Sequence, residues 1–251
     1  YLLNKHCYFR RQNEQVMKDL PAKTRQVVKL DITTRQKYNF CKNNFVKYLL
    51  EYMNADDAAV RRALRGKVMV EIGLLKKISA RGKVRESVEW IRDAIAEGEK
   101  IVLFIHHHEV ADEFRKHFPE AAFLTGKESR EEFDAHKKRF QTDPQCMLAV
   151  CSIKAAGVGL TLTASSSVVH HELAWTYADF EQCEDRVHRI GQKDNVTSTT
   201  LVGVDTYDEE IYKIIIRKKL MHNAITGTDD IVEESIVSAL VDLFNENKIK
   251  L

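Results

Sequence analysis

What most restricts the fold is a repeating alternation that begins at Lys83. Val84, Val88, Ile91 and Ile95 recur at helical spacing up to Gly98, and Lys100 to Ile105 is then a continuous apolar run of strand length. Unbroken rather than alternating hydrophobicity marks a strand covered on both faces. The pairing repeats: helix Glu109 to Phe118 and strand Ala121 to Thr125, then a helix to Phe140 opened by Ser129-x-x-Glu132 and strand Cys146 to Ser152. A turn and short helix at 155–160 lead to strand Ser167 to Glu172, a further helix, strand Thr197 to Gly203, and a helix capped by Thr206-x-x-Glu209 that carries Ile211, Ile214, Ile215 and Leu220. This order predicts an α/β fold, a parallel sheet with helices on both faces. Ligands of such sheets sit at the carboxyl ends of strands, where the turns at 152–161 and 173–177 lie.

Residues 1 to 80 read as a mostly helical connector, 81–225 as the main lobe and 226–251 as a helical extension. The connector mixes a basic helix-like stretch (Phe9 to Asp19), a breaker at Leu20-Pro21, a short strand within Gln26 to Ile32, and helical spacing at Tyr38, Phe45, Leu49 and Tyr52. Asp229 to Lys248 is a last amphipathic helix. The net charge of +2 conceals an asymmetry: residues 1–47 hold eleven Lys or Arg against three acids, and residues 205–251 hold six against ten. The basic end suits a polyanion. Five cysteines, odd in number and without a C-x-x-C pair, point to reduced thiols inside a cell. No run approaches the roughly 18 apolar residues of a membrane span, and no secretory leader is visible. The chain opens at Tyr1 without an initiator Met, and a piece of a longer polypeptide is expected.

The segment Gln182 to Gln192, QCEDRVHRIGQ, is expected to continue a helix. At about 100° per residue, Gln182, Arg186 and Arg189 then fall within about 60° of one another, while Phe180, Cys183, Val187 and Ile190 form an apolar stripe that docks on the sheet. Guanidinium groups so spaced suit a polyphosphate. They equally suit a solvated helix face whose charge Glu184 and Asp185 neutralise. Ser152 to Thr161, SIKAAGVGLT, follows a strand directly, and its small residues let backbone N–H groups approach a phosphate; a tight packing turn is the alternative. The histidines 106–108, 170, 171 and 188 have no spacing that converges four ligands, so no metal site is expected. Cys151 in apolar strand surroundings reads as an inert thiol, and Trp175 as either core or a stacking residue at a strand end.

Taken together, CSIKAAGVGLTLTAS, HHELAW and QCEDRVHRIGQ resemble the fifth and sixth helicase motifs of the Swi/Snf-like ATPases, a branch of the superfamily-two helicases. FIHHHEV (Phe104 to Val110) resembles the fourth motif, FLTG (Phe123 to Gly126) the short one after it, and FRRQNEQVMKDLPAKTRQVVKLDIT the crossing from a first motor lobe. The paired histidines and the Glu172-x-x-Trp175 step look most like the distal, annealing-helicase branch. The resemblance covers roughly residues 8 to 225 and implies a RecA-like lobe, of the P-loop-NTPase type, in an ATP-dependent double-stranded DNA translocase. It implies that Arg186 and Arg189 are arginine fingers, that Gly159, Thr161 and Gln182 approach the nucleotide, and that Ser152, Lys154, Gly126, His106 and Trp175 track DNA backbone. Departures are Ala156 where many members have Gly, Thr161 for a common Asn, and Thr125 for a common Asp.

The resemblance further implies ATP and Mg2+ as cofactors, double-stranded or branched DNA and a first RecA-like lobe as partners, no membrane, and an intracellular setting, nuclear in a eukaryote. No G-x-x-x-x-G-K-[ST] occurs, since Gly66-Lys67, Gly82-Lys83 and Gly126-Lys127 lack the flanking residues, and no acidic magnesium tetrad occurs. The chain alone is therefore expected not to hydrolyse ATP. Two other classes stay open: a non-catalytic DNA-binding or protein-docking module, and a lobe of an RNA helicase.

Overall fold

A computed structural model of the chain describes residues 20–45, 47, 48, 51, 66–156 and 159–224. The basic stretch Phe9 to Asp19 and the helix expected at Asp229 to Lys248 lie outside these residues, as do Leu49 and Tyr52. The elements are β1 (Lys23–Leu30), α1 (Arg35–Asn43), α2 (Lys67–Ala96), β2 (Ile101–Ile105), α3 (His108–His117), β3 (Ala122–Leu124), α4 (Arg130–Thr142), β4 (Leu148–Ser152), α5 (Ile153–Ala156), β5 (Ser167–His170), α6 (Tyr177–Glu184), β6 (Val196–Gly203) and α7 (Tyr207–Ala224). The described strands form one six-stranded sheet in the order β1-β6-β5-β2-β4-β3. Every neighbouring pair is parallel.

The sheet divides the core in two, as a period of two requires of strands covered on both faces. Ile101, Leu103 and Ile105 of β2 pack with Val84, Val88 and Ile91 of α2 and with Val110 and Phe114 of α3. Val102 and Phe104 face the other way, into a cluster with Phe140 of α4, Phe180 and Cys183 of α6, and Ile211, Ile214 and Ile215 of α7. Gly82 sits in the interior of α2, although glycine costs a helix about 1 kcal/mol. A Cβ there would sit 2.3 Å from Thr34 Oγ1 and 2.7 Å from the Cβ of Ile32, so only glycine lets the two backbones meet. None of the described helices is long and apolar enough to cross a membrane.

Two expectations about boundaries need correcting. The short strand near residue 26 is a full edge member of the sheet, paired with β6 from Lys23↔Val196 to Leu30↔Gly203, and not part of a helical connector. A division at 80/81 would also cut α2, one continuous helix whose earlier residues Ile72, Leu75 and Ile78 pack in the cluster of Val102 and Phe104 and whose later residues Val84, Val88 and Ile91 pack in that of Ile101 and Leu103. The capping box at Ser129 is present with both arms. The one expected at Thr206 is not. Thr206 Oγ1 accepts from Asp208 N–H at 3.2 Å, while Glu209 reaches out to Lys29 at 3.2 Å, because Asp208 is drawn inward by other donors.

Those donors form a buried polar knot beneath β5 and β6. Lys83 Nζ meets Asp208 Oδ2 at 2.7 Å and donates to the carbonyls of His171 and Leu201 at 2.7 Å each. Asp208 also accepts from Ser79 Oγ at 2.9 Å and Gly203 N–H at 3.2 Å. His171 bridges Ser87 Oγ and the Ala80 carbonyl. His170, by contrast, stacks on Phe180 at 4.1 Å and on Phe104 at 5.8 Å, and its ring nitrogens have no partner among the described residues.

Burial pushes both histidines down to about 4, His171 also through the charge of Lys83. An unfolded histidine titrates near 6.5, so between about 6.5 and 4 the unfolded chain binds more protons. This part of the stability is full above 6.5 and lost as pH falls towards 4. His170→Phe should be as stable as the native chain at pH 7, and should lose about 2 kcal/mol less between pH 7 and 5, read from denaturant midpoints. An unaltered pH slope would count against the assignment.

Candidate functional site

The residues singled out from the sequence fall into two groups. The first surrounds the loop 185–192, which joins α6 to β6. The helix ends at Glu184, not beyond Arg189 as expected: Arg186 N–H donates to Cys183 O at 3.2 Å, Val187 N–H to Glu184 O at 3.0 Å and Arg189 N–H to Val187 O at 3.0 Å, a progressive tightening that closes with Gly191 at a φ of +100°. Gln182, Arg186 and Arg189 therefore do not share a helical stripe. Val187 is buried as expected, but Ile190 is 72% exposed.

Gln192 explains why the loop turns back. Its buried amide donates to Ser165 O at 2.6 Å and accepts from Lys193 N–H at 2.8 Å and Asp194 N–H at 3.0 Å. The loop is thus clipped to the segment 159–165. Leu162 N–H donates to Arg186 O at 2.8 Å, and Arg189 Nη1 lies 3.5 Å from Leu160 O. Gly159, exposed with φ +71°, and half-buried Thr161 consequently border the two arginines, with half-buried Gln182 about one helical turn before Arg186.

Glu184 and Asp185 do not neutralise those arginines by pairing with them. Glu184 accepts from Arg25 Nε at 2.7 Å and Nη2 at 2.5 Å and lies 3.1 Å from Lys23; Asp185 lies 3.5 Å from Lys23. Burial alone would raise Glu184, but the Arg25 fork and the Lys23 charge hold it down to about 2. Among the described residues neither Arg186 nor Arg189 forms an ion pair, and the buried Arg186 Nε has no hydrogen-bond partner. Burial, then the like charge of Arg189, pulls the Arg186 guanidinium below its ordinary value. A guanidinium remains charged under such a pull. The pair is a local concentration of positive charge with no ion-pair partner among the described residues.

The second group lies along the carboxyl ends of four adjacent strands. In sheet order these are Trp175 after β5, His106 after β2, Ser152 and Lys154 at the end of β4, and Gly126 after β3. Lys154 is exposed, whereas Ser152 is buried and its Oγ accepts from Ala155 N–H at 3.1 Å, so it shapes the turn that presents Lys154. Gly126 has a φ of +89°. Buried Glu172 pins the exit of β2: Oε2 accepts from the N–H groups of His106 (2.8 Å) and His107 (3.0 Å), and Oε1 meets His107 Nδ1. Burial opposes the charge, yet these bonds hold Glu172 down to about 2. His106 is lowered by burial, against the pull of Glu172, and the charges of Lys76 and Lys154 reach it.

Beneath Trp175, Lys76 Nζ sits 3.9 Å from the ring centroid and donates to Leu173 O at 2.9 Å. Burial brings this lysine down to about 8. Cys151 is fully buried and burial raises its thiol, which fits an inert group. No cluster of three or more metal-ligating side chains occurs among the described residues. The roles of Glu184, Gln192, Arg25 and Lys76 were not legible locally, because each depends on a partner distant in sequence.

Residues 83–191 match the helicase conserved C-terminal domain. The chain is 31% identical over 228 residues to the SWI/SNF-related matrix-associated actin-dependent regulator of chromatin subfamily A-like protein 1 of Xenopus tropicalis, covering 86% of this chain and 23% of that protein. It superimposes with a TM-score of 0.62 and 26% identity on the Sulfolobus solfataricus SWI2/SNF2 ATPase core in complex with dsDNA, covering 87% of this chain and 49% of that one. The chain belongs to the Swi/Snf-like ATPases. Within this family the human DNA annealing helicase and endonuclease ZRANB3 is 28% identical over 221 residues, 83% of this chain and 19% of that protein. The chain thus has the fold of the C-terminal, RecA-like lobe of the Swi/Snf-like ATPases and spans about a quarter or less of the two curated relatives named.

Proposed function

We propose that this lobe works opposite a first RecA-like lobe in an ATP-dependent translocase on double-stranded or branched DNA. The observation that carries this is the pair Arg186 and Arg189, without ion-pair partners among the described residues and held against the 160–165 segment by the Leu162 N–H to Arg186 O bond and the Gln192 side chain, while neighbouring Glu184 and Asp185 pair with Arg25 and Lys23. Such cations suit a triphosphate brought by the other lobe. They would bind its oxygens and stabilise charge that spreads over the transferring phosphoryl group, with Gly159, Thr161 and Gln182 along the nucleotide. Magnesium, held mainly by the first lobe, would offset phosphate charge. On this reading the lobe alone does not turn over ATP.

The row from Trp175 through His106 and Lys154 to Gly126 crosses four strand ends, about 14 Å at normal strand spacing. That is about four base steps of duplex. Lys154 supplies charge, while Ser152 and Gly126 shape the backbone around it. Contacts of this kind position a duplex without reading its bases. In the two-lobed protein, Lys154→Ala should weaken duplex binding equally for unrelated sequences and reduce the log–log salt slope by about 1. Loss confined to one base sequence, an unchanged slope, or ATP turnover stimulated by RNA and not by duplex DNA would overturn the proposal.

A further inference from the structure

The arginine loop is tied repeatedly to one short stretch of chain, Pro21 to Arg25. His188 Nε2 bonds the Pro21 carbonyl at 2.7 Å, Ala22 N–H donates to Asn195 Oδ1 at 3.0 Å, and Val196 N–H donates to Ala22 O at 2.8 Å. Lys23 reaches Glu184 and Asp185, and Arg25 forks onto Glu184. Glu184 occupies a pivotal place. Its side chain is held by β1, while its carbonyl accepts from Val187 N–H at 3.0 Å and His188 N–H at 2.9 Å, closing the turn that carries Arg186.

We infer that Pro21–Arg25 is a positioning strap for the arginine loop: Arg25 and Lys23 fix Glu184 and Asp185, and through them set where Arg186 and Arg189 stand. This rests on the reading of those arginines as contacts to a transferring phosphoryl group. A buried charged pair is a poor means of stabilising a fold, since apolar residues of similar volume do as well or better. What a two-pronged guanidinium–carboxylate contact adds is fixed orientation. Orientation matters here because a displacement of about 1 Å in a group that meets the reacting atoms can cost about a hundredfold in rate. Neither Arg25 nor Glu184 touches substrate on this account; both act through Arg186.

The test uses the two-lobed protein with the double variant Arg25→Met/Glu184→Leu, which removes both halves of the fork and leaves Lys23 to Asp185, 3.5 Å away, and the single variant Arg25→Lys, which keeps the charge and loses the fork. The double variant should lower kcat for DNA-stimulated ATP turnover by about tenfold or more, with KM for ATP, duplex affinity and melting temperature little moved. Arg25→Lys should fall between it and the native protein. A native kcat in the folded double variant would overturn the inference, as would kcat, duplex affinity and melting temperature declining together, which is the mark of a purely structural contact. If the double variant does not fold, Arg25→Lys decides: a reduced kcat at unchanged melting temperature supports the strap, and a native kcat overturns it. Arg186→Ala separates the two readings. If turnover survives that change, the assignment of the arginines has failed; if only the double variant is silent, the strap alone has failed.

Discussion

Arg186→Ala in the two-lobed protein should reduce DNA-stimulated ATP turnover by about a thousandfold or more, the scale on which arginine fingers act, while the lobe stays folded and bound to duplex. The fold should survive because the loop's course depends on main-chain bonds, Arg186 N–H to Cys183 O and Leu162 N–H to Arg186 O, and on the Gln192 clip, none of which uses the guanidinium. The side chain removed has no ion pair among the described residues and a partnerless Nε, so truncation leaves no buried carboxylate exposed to loss. Arg186→Lys should recover only part of the rate, since a point charge lacks the planar fork. Arg189→Ala should act in the same direction. Steady-state turnover with saturating duplex, beside thermal melting, is the measurement; turnover within a few-fold of the native protein would remove the assigned role.

A different kind of loss is expected at the polar knot. Asp208→Ala should destabilise the lobe by about 3–5 kcal/mol, because it strands an ammonium group inside the protein. The Lys83 and Asp208 side chains are 1% and 6% exposed and 2.7 Å apart. Ser79 Oγ and the Gly203 N–H lose their acceptor in the same step. For a lobe of this size the melting temperature should fall by roughly 6 to 20 °C. Lys83→Met should cost less, since Asp208 would keep two donors. A shift of a degree or two for Asp208→Ala would show that water or a shifted lysine relieves the ammonium.

How much of this was legible in the sequence depended on the range of the interaction. Lys100 to Ile105 and Cys146 to Ser152 declared themselves as strands because central parallel strands are apolar on both sides, and Ser129 with Glu132 declared a helix start because both partners lie within one turn. β1 was seen as a strand but assigned to a connector. Nothing local to its Lys23 and Arg25 shows that their carboxylates arrive 159 to 162 residues later. The same blindness extended the helix past Glu184: Val187 kept the apolar period, while the features that end the helix, the hold on Glu184 and the Gln192 clip, are tertiary. The two arginines were singled out by residue type and family resemblance, and their surroundings became legible only in the fold.

The two margins of the sheet formed by the described strands carry a consequence for how the chain keeps from associating with itself. One margin is β3, a strand of three residues; the other is β1, whose exposed positions include Thr24, Gln26 and Lys29. A stub and a lysine-bearing ribbon are both poor templates for a foreign strand. Neither margin therefore invites a second copy of the chain to add a strand, and the sheet is built to refuse further β pairing.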